Sequence, residues 1–120
     1  MFTLAPKGYV ATSSLTNALV TSEKPGVIAA VAGQIDGSAP SGTYYVQLID
    51  SATAVNAGGA ITLIAVKEVN HKQNEAELFD FEFGLGGVRC ANGCVVQLST
   101  TVGTGTLDGS IMLAFAAYLV

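Results

Sequence analysis

The chain has no tryptophan, one histidine, two cysteines and only five lysines and arginines in 120 residues. Each shortage closes a class of function. Five cations against nine acids, a net charge of −4, leave no basic stripe that could neutralise a run of phosphates, so nucleic-acid binding is disfavoured. The single histidine, His71, has no serine in a Gly-x-Ser-x-Gly arrangement to activate, and nucleophilic catalysis needs that partner. His71, Cys90 and Cys94 with an acid fall short of the usual closed set of zinc ligands. Neither an enzyme activity nor a cofactor is expected. No apolar run reaches the ~18 residues of a spanning helix, and Val27–Ile35 is broken by Gly33 and Gln34, so no membrane partner is expected. Met1–Gly8 lacks the basic segment and apolar stretch of a secretory signal, which makes synthesis in a cytosol the expectation.

Charge of either sign is scarce. Charged residues make up 12% of the chain, half of it is apolar and 14 residues are glycine, whereas an ordinary domain carries roughly 25% charged residues. A monomer normally keeps enough charge outside to stay dispersed. This shortage predicts an exterior covered by copies of the same chain or by another protein. The length suits one domain.

What is present is a strand pattern. In Leu78-Phe79-Asp80-Phe81-Glu82-Phe83, three phenylalanines at every second position share one side of an extended strand and the acids share the other. Similar runs separated by turn residues predict strands near Val27–Ile35, Thr43–Asp50, Ile61–Val69, Glu77–Phe83, Val88–Cys90, Cys94–Thr101 and Ser110–Leu119. The expected fold is all-β: a single antiparallel β-sandwich, jelly-roll-like, of about seven or eight strands. Phe79, Phe81, Phe83, Val46, Leu48, Val96, Leu98, Leu113 and Phe115 are expected in its core. In the last strand both faces are apolar, which predicts a central strand or a subunit interface.

Residues 1–25 form an N-terminal arm or edge strand, and residues 26–120 the sandwich domain. The arm carries few large apolar groups. Its Thr, Ser and Asn suit a segment laid along a neighbouring surface, and Leu4, Pro6, Tyr9, Leu15 and Leu19 are the residues expected to meet a partner there.

Three groupings invite chemical readings. Asp80 and Glu82 could serve as a glycosidase pair, but alternation alone puts acids opposite phenylalanines. Gly84-Leu85-Gly86-Gly87 lacks the third glycine of a phosphate loop and reads as a sharp sheet corner. Cys90-Ala91-Asn92-Gly93-Cys94 is the sharpest: Asn-Gly before a β-run predicts a tight hairpin, with the cysteines opposite each other as either a disulfide or two reduced, partly buried thiols.

The order of these elements resembles the small β-sandwich virion proteins of tailed bacteriophages. The resemblance covers residues 26–120 and rests on Gly26-Val27-Ile28, on Tyr44-Tyr45-Val46-Gln47-Leu48-Ile49-Asp50-Ser51-Ala52-Thr53, and on the run from Gly87 through Asn92-Gly93 to Thr101. It implies a jelly-roll-like module that decorates or cements a capsid by binding the major capsid protein, usually as a homotrimer. A head-fibre or tail module binding a host receptor or glycan is the alternative. Either role would place the protein in the virion, after synthesis in the host cytoplasm.

Overall fold

The computed structural model describes residues 8–10, 18–22, 26–55, 59–84, 86–103 and 111–119. For 8–10, 18–22 and 111–119 it describes the backbone and its pairing. The described residues are all-β, without a helix. The strands are β1 (Gly8–Val10), β2 (Ala18–Ser22), β3 (Gly26–Ile35), β4 (Gly42–Ile49), β5 (Leu63–His71), β6 (Glu77–Glu82), β7 (Val88–Cys90), β8 (Cys94–Ser99) and β9 (Ile111–Leu119). They form two antiparallel sheets. Sheet A runs β1-β9-β3-β6, with β7 also on β3, and sheet B runs β2-β8-β4-β5.

The alternating sequences explain the layering. In β6, Phe79 and Phe81 are buried while Leu78, Asp80 and Glu82 are exposed, as period two requires of a strand with one wet face. Phe81 lies opposite Val31, and Phe79 opposite Gly33. From sheet B, Tyr44, Val46, Leu48, Cys94, Val96 and Leu98 meet Ile28, Val31, Ile35, Phe79 and Phe81 of sheet A in one core, as in a β-sandwich. Phe81 stacks on Phe83 at 6.2 Å and meets Phe79 edge-on at 6.3 Å.

Several expectations shift. Phe83 packs against the core only partly buried, because β6 ends at Glu82 and Phe83 begins the exit turn. The fifth strand starts two residues later than expected, at Leu63, and ends at His71. The segment Gly84–Gly87 is no sheet corner. Both β6 and β7 pair with β3, so the glycines make a step within one interrupted edge strand. There the Gly87 N–H donates to the Gly84 carbonyl at 3.2 Å and both residues take positive φ, which glycine adopts without a Cβ clash. The Phe83 N–H donates to the Ala29 carbonyl at 3.1 Å, bridging the gap between the two pieces.

The Asn-Gly turn is not a hairpin either. Strand β7 belongs to sheet A and β8 to sheet B, so Ala91-Asn92-Gly93 carries the chain from one sheet to the other. Gly93, buried at φ 151, supplies a backbone conformation that β-carbon-bearing residues rarely take. The segment bends as Asn-Gly predicts, but the partners of the flanking strands are nonlocal.

Both described segments of the arm region pair within this chain. Strand β1 lies at the edge of sheet A against β9, with Tyr9 opposite Ala117. Strand β2 lies at the edge of sheet B against β8, with Leu19 opposite Val96. Leu4, Pro6 and Leu15 lie outside the described residues, as do the side chains of Tyr9 and Leu19. The core assignments of Leu113 and Phe115 likewise concern side chains outside the description. The register slips between Ala32↔Phe115 and Gly33↔Leu113, so the strict alternation expected along β9 is interrupted there.

Candidate functional surfaces

Sheet B covers the outer face of β4 and β8, while on β5 beside them Val66 is 40% exposed and Glu68 is exposed. Tyr45, Gln47 and Ile49 of β4 pair with Ser99, Gln97 and Val95 of β8, and all but the half-buried Tyr45 are fully sealed at 0% exposure. Two buried glutamines hold the cover. The Gln97 side chain accepts from the Val55 N–H at 3.2 Å and donates to the Val55 carbonyl at 2.9 Å, imitating a neighbouring strand. The Gly103 N–H donates to Gln47 Oε1 at 2.9 Å. A buried amide must be satisfied, because burying it unpaired costs more than its hydrogen bond returns. Here the loops after β4 and β8 supply the partners.

Sheet A exposes the outer side chains of its strand β6, while those of β3 beside it, Ala30, Ala32 and Gln34, are half-buried. On β6, Leu78 is 80% exposed, on the same side as exposed Asp80 and Glu82, and across the ladder Leu78, Asp80 and Glu82 lie opposite Gln34, Ala32 and Ala30. The arrangement is a single large apolar group rimmed by acids, on a shelf of small side chains. It has no pocket, and no cluster of three metal-ligating side chains occurs among the described residues. Asp80 and Glu82 stand on this open face, so no cleft holds a substrate between them.

The rim between the sheets is guarded. Lys67 on β5 donates from Nζ to the Asp80 backbone carbonyl at 2.7 Å, lies 3.5 Å from the Asp80 carboxylate, and sits 6.0 Å from the Phe81 ring centroid. A lysine on an edge strand that ties down an edge carbonyl disfavours strand addition by another chain.

At one end of the molecule His71 is buried, not part of a solvated strand entry as the surrounding Lys72 and Glu75 suggest from sequence. Its Nε2 lies 3.1 Å from the Ala39 carbonyl, an acceptor only, so Nε2 carries the proton of that bond. Its ring meets Tyr44 edge-on at 5.9 Å, and Tyr44 donates its hydroxyl to the Pro40 carbonyl at 2.8 Å. Nδ1 has no hydrogen-bond partner among the described residues. The Asn74 N–H donates to Gly37 and the Gln73 N–H to Ser41 Oγ, both at 2.8 Å. These contacts interlock the β3–β4 and β5–β6 loops. Asp36 begins the first loop, and hydrogen bonds from the Ser38 hydroxyl and N–H pull its carboxyl below the ordinary value.

The sheet-to-sheet corner holds the two cysteines. Both are buried and reduced. The facing Cys94 thiol draws the Cys90 pKa below the ordinary thiol value, outweighing burial and the negative charge of Asp50, which push it up. Asp50 clamps the corner: its carboxylate accepts from the Ala91 N–H at 3.1 Å and the Asn92 N–H at 2.7 Å. Sequence reasoning marked the cysteines but missed Asp50, because its partners lie about forty positions away. No protein-family model, curated protein or solved structure matches the chain.

Proposed function

We propose that the protein is a non-enzymatic structural component of a bacteriophage virion, made in the host cytoplasm, which decorates or cements the capsid by binding the major capsid protein. Homotrimeric assembly is part of that reading. What supports it is strand order. Counting β6 and β7 as one interrupted strand gives eight strands, ordered first-eighth-third-sixth in sheet A and second-seventh-fourth-fifth in sheet B. That order fits the double Greek key of a jelly roll, an architecture used by viral capsid domains and also by lectins and cupins.

Fold alone does not assign function, so the contact surface matters. The Leu78 patch on sheet A is the surface this reading assigns to the capsid or to a neighbouring copy, since Leu78 is 80% exposed while on sheet B the loops cover β4 and β8 and leave only Val66 of β5, 40% exposed. With β1 and β2 paired in cis, the arm contributes as two edge strands and not as a free strap. Mass spectrometry of purified virions tests the proposal. The protein should be present in many copies, and Leu78→Arg should weaken co-sedimentation with capsids while leaving the β-sheet circular dichroism unchanged. Absence from virions would overturn it, and binding on a glycan array without capsid association would favour a receptor-binding fibre or tail module.

A further inference from the structure

We propose that Cys90 and Cys94 form a redox-responsive dithiol that closes to a disulfide by exchange with a small-molecule disulfide, stapling the two sheets together at their shared corner. The geometry carries this. Cys90 is the last residue of β7 in sheet A and Cys94 the first of β8 in sheet B, with only three residues between them and their thiols already facing each other. Their ladder partners are equally placed. Cys90 lies opposite Gly26, where β3 begins, and Cys94 opposite Ser22, where β2 ends. The chain therefore crosses between the sheets twice at this corner, in opposite directions, and a bond between the two sulfurs would tie down both crossings.

The order of events follows from the thiols. Cys90, whose thiolate the Cys94 thiol favours, attacks one sulfur of the small disulfide, forms a mixed disulfide and releases one small thiolate. Cys94 then gives up its proton and attacks Cys90 Sγ, which expels the second small thiol. Two electrons pass from the protein to the small disulfide, which leaves as two thiols carrying the protons the cysteines lost.

Access is gated. Cys90 is 1% exposed and Cys94 0%, so attack waits on opening of Ala91–Gly93, the turn Asp50 holds by two backbone N–H groups. The pair would stay reduced in a thiol-rich cytosol and close outside it. Only that choice of compartment rests on the virion reading.

Glutathione disulfide added to the full chain, followed by intact mass and thiol counting, tests the chemistry. The native protein should lose two hydrogens and keep no adduct, and its thermal unfolding should shift upward. Cys94→Ser should instead trap glutathione on Cys90, since the resolving thiol is gone. Asp50→Asn, which keeps one acceptor for the two N–H groups, should speed closure by on the order of tenfold or more, the worth of losing a charge-assisted hydrogen bond. Thiols that react only after urea unfolds the chain, or a wild-type adduct that never resolves, would overturn the proposal. Since the isolated protein is used, such a failure leaves the virion reading standing, and absence from virions leaves the dithiol chemistry standing.

Discussion

The two outer faces of this molecule began from similar strands and ended differently. On sheet B, Ile49, Val95, Gln47, Gln97 and Ser99 are all sealed, and the seal is made by the loops through Val55 and Gly103. On sheet A, Leu78 stands in the open with Asp80 and Glu82. A strand buried on both sides thus does not by itself call for a second subunit. Strand β8 is such a strand, and loops of its own chain cover it. A surface sought for a partner belongs on the sheet that lacks this cover.

The comparison can be broken in three places. The largest effect lies where both sheets meet: Phe81→Ala should cost roughly 3–5 kcal/mol in urea unfolding, since the cavity falls between two other rings and cannot collapse easily. A loss below about 1 kcal/mol would mean that the shared core does not sit on that face. Next comes the cover itself. Gln97→Ala leaves both half-buried Val55 backbone groups without their side-chain partner, an expected loss of about 1–3 kcal/mol, whereas Leu78→Ser on the open face should stay within about 0.5 kcal/mol. Equal losses at the two sites would erase the distinction between a covered and an uncovered sheet.

The smallest effect concerns acid. The carboxyl of Asp36 has a lower pKa folded than unfolded, so its contribution is present above the unfolded value and disappears as the pH falls through and below the ordinary carboxylate range. The carboxyl stays in contact with water on a loop, so the contribution is small. Asp36→Asn should therefore leave a melting curve at neutral pH nearly unchanged and slightly flatten the decline in stability on acidification; a steeper decline would contradict the Ser38 hydrogen bonds as its cause.

Much of this architecture is legible in the residues because it is local. Alternation in Tyr44–Leu48 and Phe79–Phe81 named the buried face of each strand, and glycines with Asn and Ser named the turns. Destinations were not legible. Nothing in Ala91-Asn92-Gly93 says that the next strand joins the opposite sheet, and nothing near Val55 says that it will lie against Gln97. Gln97 and Ser99 read as the polar, outward side of β8, which they are by direction. Their burial depends on loops whose own sequences have no period to read. The burial of His71 escapes the sequence for the same reason, since its neighbours in sequence are wet and its neighbours in space are Tyr44 and Ala39.

Strand β3 has one further consequence. It pairs along its length with β9 on one side and with β6 and β7 on the other, and the Phe83 N–H fills the one missing rung at Ala29. A ten-residue strand held by ladders on both flanks cannot be peeled away one bond at a time from a free margin. Its amide protons should exchange last with deuterated solvent, with the global opening of the molecule, and a pull applied along it would load many hydrogen bonds in parallel. The glycine step that looks like a break in the sheet is therefore what lets a second, shorter strand complete the splint along a line braced on both sides.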